Sequence, residues 1–108
     1  MPNGSNKNFV RMCLTINGFH ARYGTWPTTV RVPPFVVPEL RDHILGPEAF
    51  ARVELKIRVI PQEGTFVAED EGGGRFDYDA DHDSIPAYPK IDAREWLGVD
   101  SLPGMSGG

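Results

Sequence analysis

Four aspartates at alternate positions, Asp77, Asp79, Asp81 and Asp83, form the densest set of hard oxygen ligands in the chain. An EF-hand calcium loop adds a glycine at its sixth position and a bidentate glutamate at its twelfth. Counted from Asp77, those positions hold His82 and Tyr88, so the EF-hand reading fails. The run reads better as a solvated acidic loop, or as carboxylates answering arginines elsewhere. A cation site of another kind, and a metal-dependent enzyme built on it, is the lesser alternative, and no cofactor is expected. If the run were a strand, its side chains would lie in line along one face and could not converge on an ion.

The remaining chemistry is sparse. His20, His43 and His82 lie far apart with no cysteine partner at zinc spacing. Cys13 is the single cysteine, which excludes an intramolecular disulfide and suits a reducing compartment. A Cys13–His20 dyad is a weak candidate, since a thiolate nucleophile needs its base within hydrogen-bond reach. No G-x-S-x-G, H-E-x-x-H or P-loop motif is present, and Gly72-Gly73-Gly74 reads as a turn. The sequence declares no catalytic constellation.

Charge is more informative. The formal net charge is -4, but residues 1–58 hold eight Lys/Arg against four Asp/Glu, and residues 59–108 hold three against eleven. Such a split serves a partner, or lets one half of the molecule neutralise the other. Trp26, between Gly24-Thr25 and Pro27, reads mainly as a loop residue folded back as a lid on the core. The second reading makes it an interface anchor, a role in which tryptophan is enriched.

These residues need elements to carry them, and alternation supplies most of the expected ones. Val53, Leu55, Ile57 and Val59 alternate with Glu54, Lys56 and Arg58, as in a half-buried strand. Turns at Pro61–Gly64 and Glu71–Gly74 then predict a three-strand meander reaching Tyr78. Upstream, Asn17-Gly18 is the strongest hairpin signal. It pairs Leu14 with Ala21 and Met12 with Tyr23, apolar against apolar, and so predicts two strands across residues 9–23. Thr28–Val32 is another alternating run, ended by Pro33-Pro34. Val37, Leu40, Ile44 and Leu45 predict one main helix, begun near Pro38 and closed by Gly46. Asp92–Gly98 has capping-box spacing and predicts a short C-terminal helix docked by Trp96 and Leu97.

The expected fold class is α+β. An antiparallel sheet of five or six strands, the Asn-Gly hairpin plus the meander, carries the main helix on one face and the short C-terminal helix beside it. One domain is expected over residues 9–98, with tails at 1–8 and 99–108. The core list is Val10, Leu14, Ile16, Phe19, Val30, Val32, Leu40, Ile44, Leu55, Ile57, Phe66 and Phe76. No apolar run approaches the roughly 20 residues of a membrane helix, and no secretion signal is evident, so a cytoplasmic location is expected with no membrane partner.

By alternation the basic residues fall on the polar sheet face. The partner-binding set is His20, Arg22, Trp26, Arg31, Arg52, Lys56 and Arg58, reading an acidic protein surface without enzymatic activity. Nucleic acid is the alternative partner, disfavoured because every strand aromatic has inward parity, whereas sheets that read single strands stack bases on outward aromatics. Glu54, Glu69, Asp77 and Asp79 share the outward parity, so internal ion pairing is the competing use of that face. The Gly107-Gly108 ending resembles the tail of ubiquitin-like modifiers, which implies a β-grasp fold and conjugation through the terminal glycine. The preceding residues, Leu102 to Ser106, lack the basic approach common in that family.

Overall fold

In the computed structural model, which describes residues 7–64, 66–81 and 93–99, the chain opens not with a hairpin but with a helix. This first helix, α1, runs Lys7–Tyr23 without interruption through Asn17 and Gly18. Phe9, Met12, Cys13, Ile16 and Phe19 recur at helical spacing, and all are buried. The two turn-forming residues are held in the helix by partners distant in sequence. A Cβ on Gly18 would sit 2.3 Å from Cζ of Phe76, so glycine is what lets that ring reach the helix backbone. Asn17 Oδ1 accepts the Ala93 N–H at 2.7 Å, satisfying a donor at the start of the C-terminal helix. Asparagine and glycine together cost a helix about 1.5 kcal/mol relative to alanine. Burying each of the four large apolar side chains contributes about 1.5–3 kcal/mol, and burial wins. The helix stops where it should: Gly24 takes φ 78° and its N–H returns to the His20 carbonyl at 2.8 Å.

Strand β1, Thr29–Val32, buries Val30 and Val32 as the alternation requires, and Pro33-Pro34 ends it. The chain then winds through α2, Val36–Glu39, and a wider π-helical stretch, Leu40–Ile44, which together form the main helix expected there. Gly46 at φ 86° and Pro47 in the first turn start α3, Pro47–Lys56.

Helix α3 occupies half of what the alternation assigns to a strand. Ala49, Phe50, Val53 and Ile57 fit helical spacing equally well and are buried, while Leu55 stands 84% exposed. The residue just after the helix, Ile57, turns extended, and β2, Arg58–Pro61, follows. Strands β3, Val67–Glu69, and β4, Arg75–Asp77, form the hairpin predicted at Glu71–Gly74, with Ala68 opposite Phe76. Helix α4, Tyr78–Asp81, continues directly from β4, and α5, Ala93–Leu97, closes on Gly98 at φ 80°.

The α+β class holds, but the sheet has four strands and is mixed, ordered β2-β1-β3-β4. β1 and β2 run parallel, Thr29 beside Arg58 and Val32 beside Pro61, joined by the α2–α3 crossover that parallel strands need. β1 pairs with β3 antiparallel, so β2 and β3 are not neighbours and no three-strand meander forms. Val30, Val32, Val59, Phe66 and the residues of α1, α2, α3 and α5 make one core on a single side of the sheet. Phe19, Ala68 and Phe76 extend it toward β4. Of the expected core, Val10 and Leu55 are exposed and Leu14 and Ile44 only half-buried, and the other eight residues are buried. Among the described residues no helix is long and apolar enough to cross a membrane.

Candidate functional site at the sheet edges

The seven residues of the expected binding set separate into three places. His20 and Trp26 meet at the end of α1, where the rings stack at 4.0 Å between centroids. Trp26 also stacks on Trp96 of α5 at 4.5 Å, the ring planes nearly parallel at 7°. Half-buried between two rings, Trp26 clasps the α1–β1 loop to α5, the lid-like role weighed for it above.

Arg22 and Arg31 are engaged inside the molecule. Arg22 forms an ion pair with Asp81 at 3.2 Å, lies 5.0 Å from the Phe76 ring centroid, and donates to the Arg75 carbonyl at 3.3 Å. Arg31 donates to Glu69 at 2.8 Å and to Gln62 at 3.1 Å on the sheet face opposite the helices. There Glu69 also meets Arg75 at 3.6 Å, and Arg75 meets Asp77 at 3.6 Å. Two of these pairs join the basic first half to the acidic second half. The sheet face is therefore largely self-neutralised by the internal pairing weighed above.

Arg52, Lys56 and Arg58 differ. All three are exposed, and among the described residues none of the three side chains has an ion-pair or hydrogen-bonding partner. They do not share a sheet face. Arg52 and Lys56 are one turn apart on α3, and Arg58 begins β2 immediately beyond it. Leu55 shares the Arg52–Lys56 side of the helix, three residues beyond Arg52. It is the functional candidate that alternation hid by assigning it to the core. The signal that finds it is the helical spacing of Phe50, Val53 and Ile57, which leaves position 55 facing out.

Sheet parity shows what this patch adjoins. Arg58 N–H bonds the Thr28 carbonyl and Gln62 N–H bonds the Val32 carbonyl, so residues 58, 60 and 62 face β1. The N–H and C=O of Val59 and the C=O of Pro61 point outward, and no described residue pairs with them. At the other edge Tyr78 N–H bonds Phe66 and Asp70 N–H bonds Gly74, which leaves Arg75 and Asp77 facing out. Those groups are all taken. The Tyr23 hydroxyl accepts the Arg75 N–H and donates to the Arg75 carbonyl, both at 3.1 Å. Asp81 Oδ2 accepts the Asp77 N–H at 3.0 Å.

The acidic run is thereby largely explained. Asp77 Oδ1 caps α4 by accepting the N–H groups of Asp79 and Ala80, and Asp81 reaches back to Asp77. The Asp77 N–H bond, then Arg22, holds the Asp81 carboxyl below its ordinary range. Asp81 in turn raises Arg22. No three described His, Cys, Asp or Glu side chains are grouped to hold a metal, and Asp83 and His82 lie outside the described residues. So do Asp92 and residues 1–6 and 100–108, the Gly107-Gly108 ending among them; of the expected tails, Lys7 and Asn8 belong to α1 and Val99 is buried in the core. Cys13 is buried, and seven residues of helix separate it from His20 by about 10 Å, which rules out direct contact.

One cleft of about 630 Å³ opens past the carboxyl end of β1, between Asn8 and Arg11 of α1, Phe35, Glu63 and Tyr78. Its charges oppose one another, and its described lining holds no nucleophile–base pair. Comparison of the chain with protein-family models, with curated proteins and with solved structures finds no match.

Proposed function

We propose that this chain is a non-enzymatic interaction protein that binds an acidic segment of a partner protein through the patch at the end of α3 and the start of β2. The observation that carries this reading is the group of unpartnered cations, Arg52, Lys56 and Arg58, which bracket in sequence a leucine that is 84% exposed. Exposed cations cost nothing to leave in water, but a large aliphatic side chain placed among them does not serve the core. Together they offer long-range attraction and a short-range apolar contact, the combination that protein interfaces use. A nucleic-acid partner is less well supported. Phe66 and Phe76 are buried on the helix side, so these strand aromatics offer no base a stacking platform.

The test is anisotropy titration with two labelled probes of equal net charge, a glutamate-rich peptide and a single-stranded RNA. The peptide is expected to bind, and Arg52→Glu with Lys56→Glu and Arg58→Glu is expected to weaken it at least tenfold. Arg22→Glu with Arg31→Glu should lower the melting temperature and leave peptide binding in place, because those arginines serve internal pairs. Equal peptide binding by the triple variant would refute the proposal. Tighter RNA binding with a steep salt dependence would replace it with the nucleic-acid reading.

A further inference from the structure

We infer that the partner's acidic segment adds to the sheet as a fifth strand along β2. This rests on the reading of the basic patch above and specifies how that patch is used. The outward groups of β2 form a short docking rail: one donor, the Val59 N–H, and the carbonyls of Ile57, Val59 and Pro61 as acceptors. Ile57 is already extended at φ -148° and ψ 145°, so the rail begins at the last turn of α3. An incoming chain of five or so residues satisfies it by main-chain bonds alone, the usual source of affinity in strand addition. Lys56 and Arg58 flank Ile57 in sequence, and Arg52 lies one helical turn behind. They set the sign of the partner's side chains.

The opposite edge of the same sheet shows that the openness is local. On β4 the hydroxyl of Tyr23, the guanidinium of Arg22 and the carboxylate of Asp81 occupy the outward groups of Arg75 and Asp77. Exposed edges invite unwanted pairing and are usually blunted. β2 carries only a partial guard, Pro61, whose missing N–H limits the rail at its far end without closing it.

A second copy of this chain is the poorer occupant. Twofold pairing of two β2 edges about Val59 would set the two copies of Arg58 diagonally across from each other. Residues 56–61 contain no acid to offset them. An acidic extended segment meets no such penalty.

The experiment uses a labelled heptapeptide of alternating valine and glutamate, acetylated and amidated. Beside it stands the same peptide N-methylated at every residue, which keeps the charge but has no backbone donor. Strand addition predicts at least tenfold weaker binding of the methylated form. It also predicts at least tenfold slower hydrogen exchange at the Val59 amide with the unmodified peptide bound. Equal binding of both forms, with Val59 exchange unchanged, would overturn strand addition while leaving charge-directed binding at the patch intact. Failure of both peptides to bind would remove the interaction reading and strand addition together. Protection of Val59 that rises with protein concentration alone, accompanied by dimers in sedimentation, would replace the partner with a second copy.

Discussion

The two edges of this sheet solve one physical problem in opposite ways. An edge strand presents backbone groups that demand partners. At β4 the demand is met from within, by the end of α1 and the first turn of α4, with Tyr23 acting on Arg75 as both donor and acceptor. At β2 it is left to water or to a guest. The cations divide the same way: Arg22 is tied to Asp81, whereas Arg52, Lys56 and Arg58 have no described partner. Charge alone does not mark a binding surface in this molecule. The proposed docking site rests instead on charge left over after internal pairing, beside backbone left over after sheet pairing.

The comparison breaks most visibly if β4 is not anchored. Phe76, 1% exposed, seats its ring on the backbone of α1 at Gly18. Phe76→Ala is expected to cost about 3–5 kcal/mol, a large share of a small domain's stability. Gly18→Ala, which forces the ring away, is expected to cost about 1–3 kcal/mol, less what alanine restores to the helix. Urea unfolding measures both. A Phe76→Ala cost below about 1 kcal/mol would mean that β4 is held by its polar plug alone.

Removing one hydroxyl tests the plug itself. Tyr23→Phe keeps the ring on Phe19, 4.6 Å between centroids, and deletes the group that pairs with Arg75. The expected loss is about 1 kcal/mol, with faster exchange of the Arg75 amide. With Arg22 still on the Arg75 carbonyl and Asp81 still on the Asp77 N–H, the variant frees only the Arg75 N–H. Unchanged Arg75 exchange would show that the hydroxyl does not protect this edge.

Acid provides a gentler version of the same opening. The Asp81 carboxyl is held below its ordinary range by the Asp77 N–H and by Arg22. A depressed carboxyl stabilises the fold fully above its unfolded value, about pH 4, and loses that contribution as pH falls through the lower folded value. Asp81→Asn should therefore melt below the parent protein at pH 7, and the gap should close below about pH 4. A gap constant with pH would assign the effect to something other than ionisation.

How far these features were legible in the sequence depends on how far away their causes lie. β1 and its proline stop, the glycine-rich hairpin, the close of the main helix at Gly46 and the short C-terminal helix follow from neighbouring residues, and each forms. α1 does not, because what overrides Asn17-Gly18 comes from Phe76 and Ala93, dozens of positions downstream. The mixed sheet escapes a sequential reading for a related reason. β2 skips its neighbour in sequence and pairs with β1 across the α2–α3 crossover. Within the candidate site, parity puts Glu69 on the same sheet face as the arginines, and its pair with Arg31 is one case of the internal pairing that competes for that face. The isolation of Arg52, Lys56 and Arg58 was not legible, since alternation spread them over a sheet face on which only Arg58 lies.

Leu55 gives the smallest stability effect and the sharpest discrimination. A strand reading places it in the core, where truncation to alanine costs about 2–5 kcal/mol. In the helix it stands 84% exposed, and alanine is the better helix former by a few tenths of a kcal/mol. Leu55→Ala is therefore expected to change stability by less than about 0.5 kcal/mol. The same substitution removes the apolar centre of the patch while leaving every charge in place. Binding of the acidic peptide should weaken several-fold, mainly through faster dissociation, because charge governs encounter more than retention. Stopped-flow dissociation and thermal melts of one variant read both quantities. A destabilised variant would return Leu55 to the core, and unchanged dissociation would reduce the patch to its charges alone.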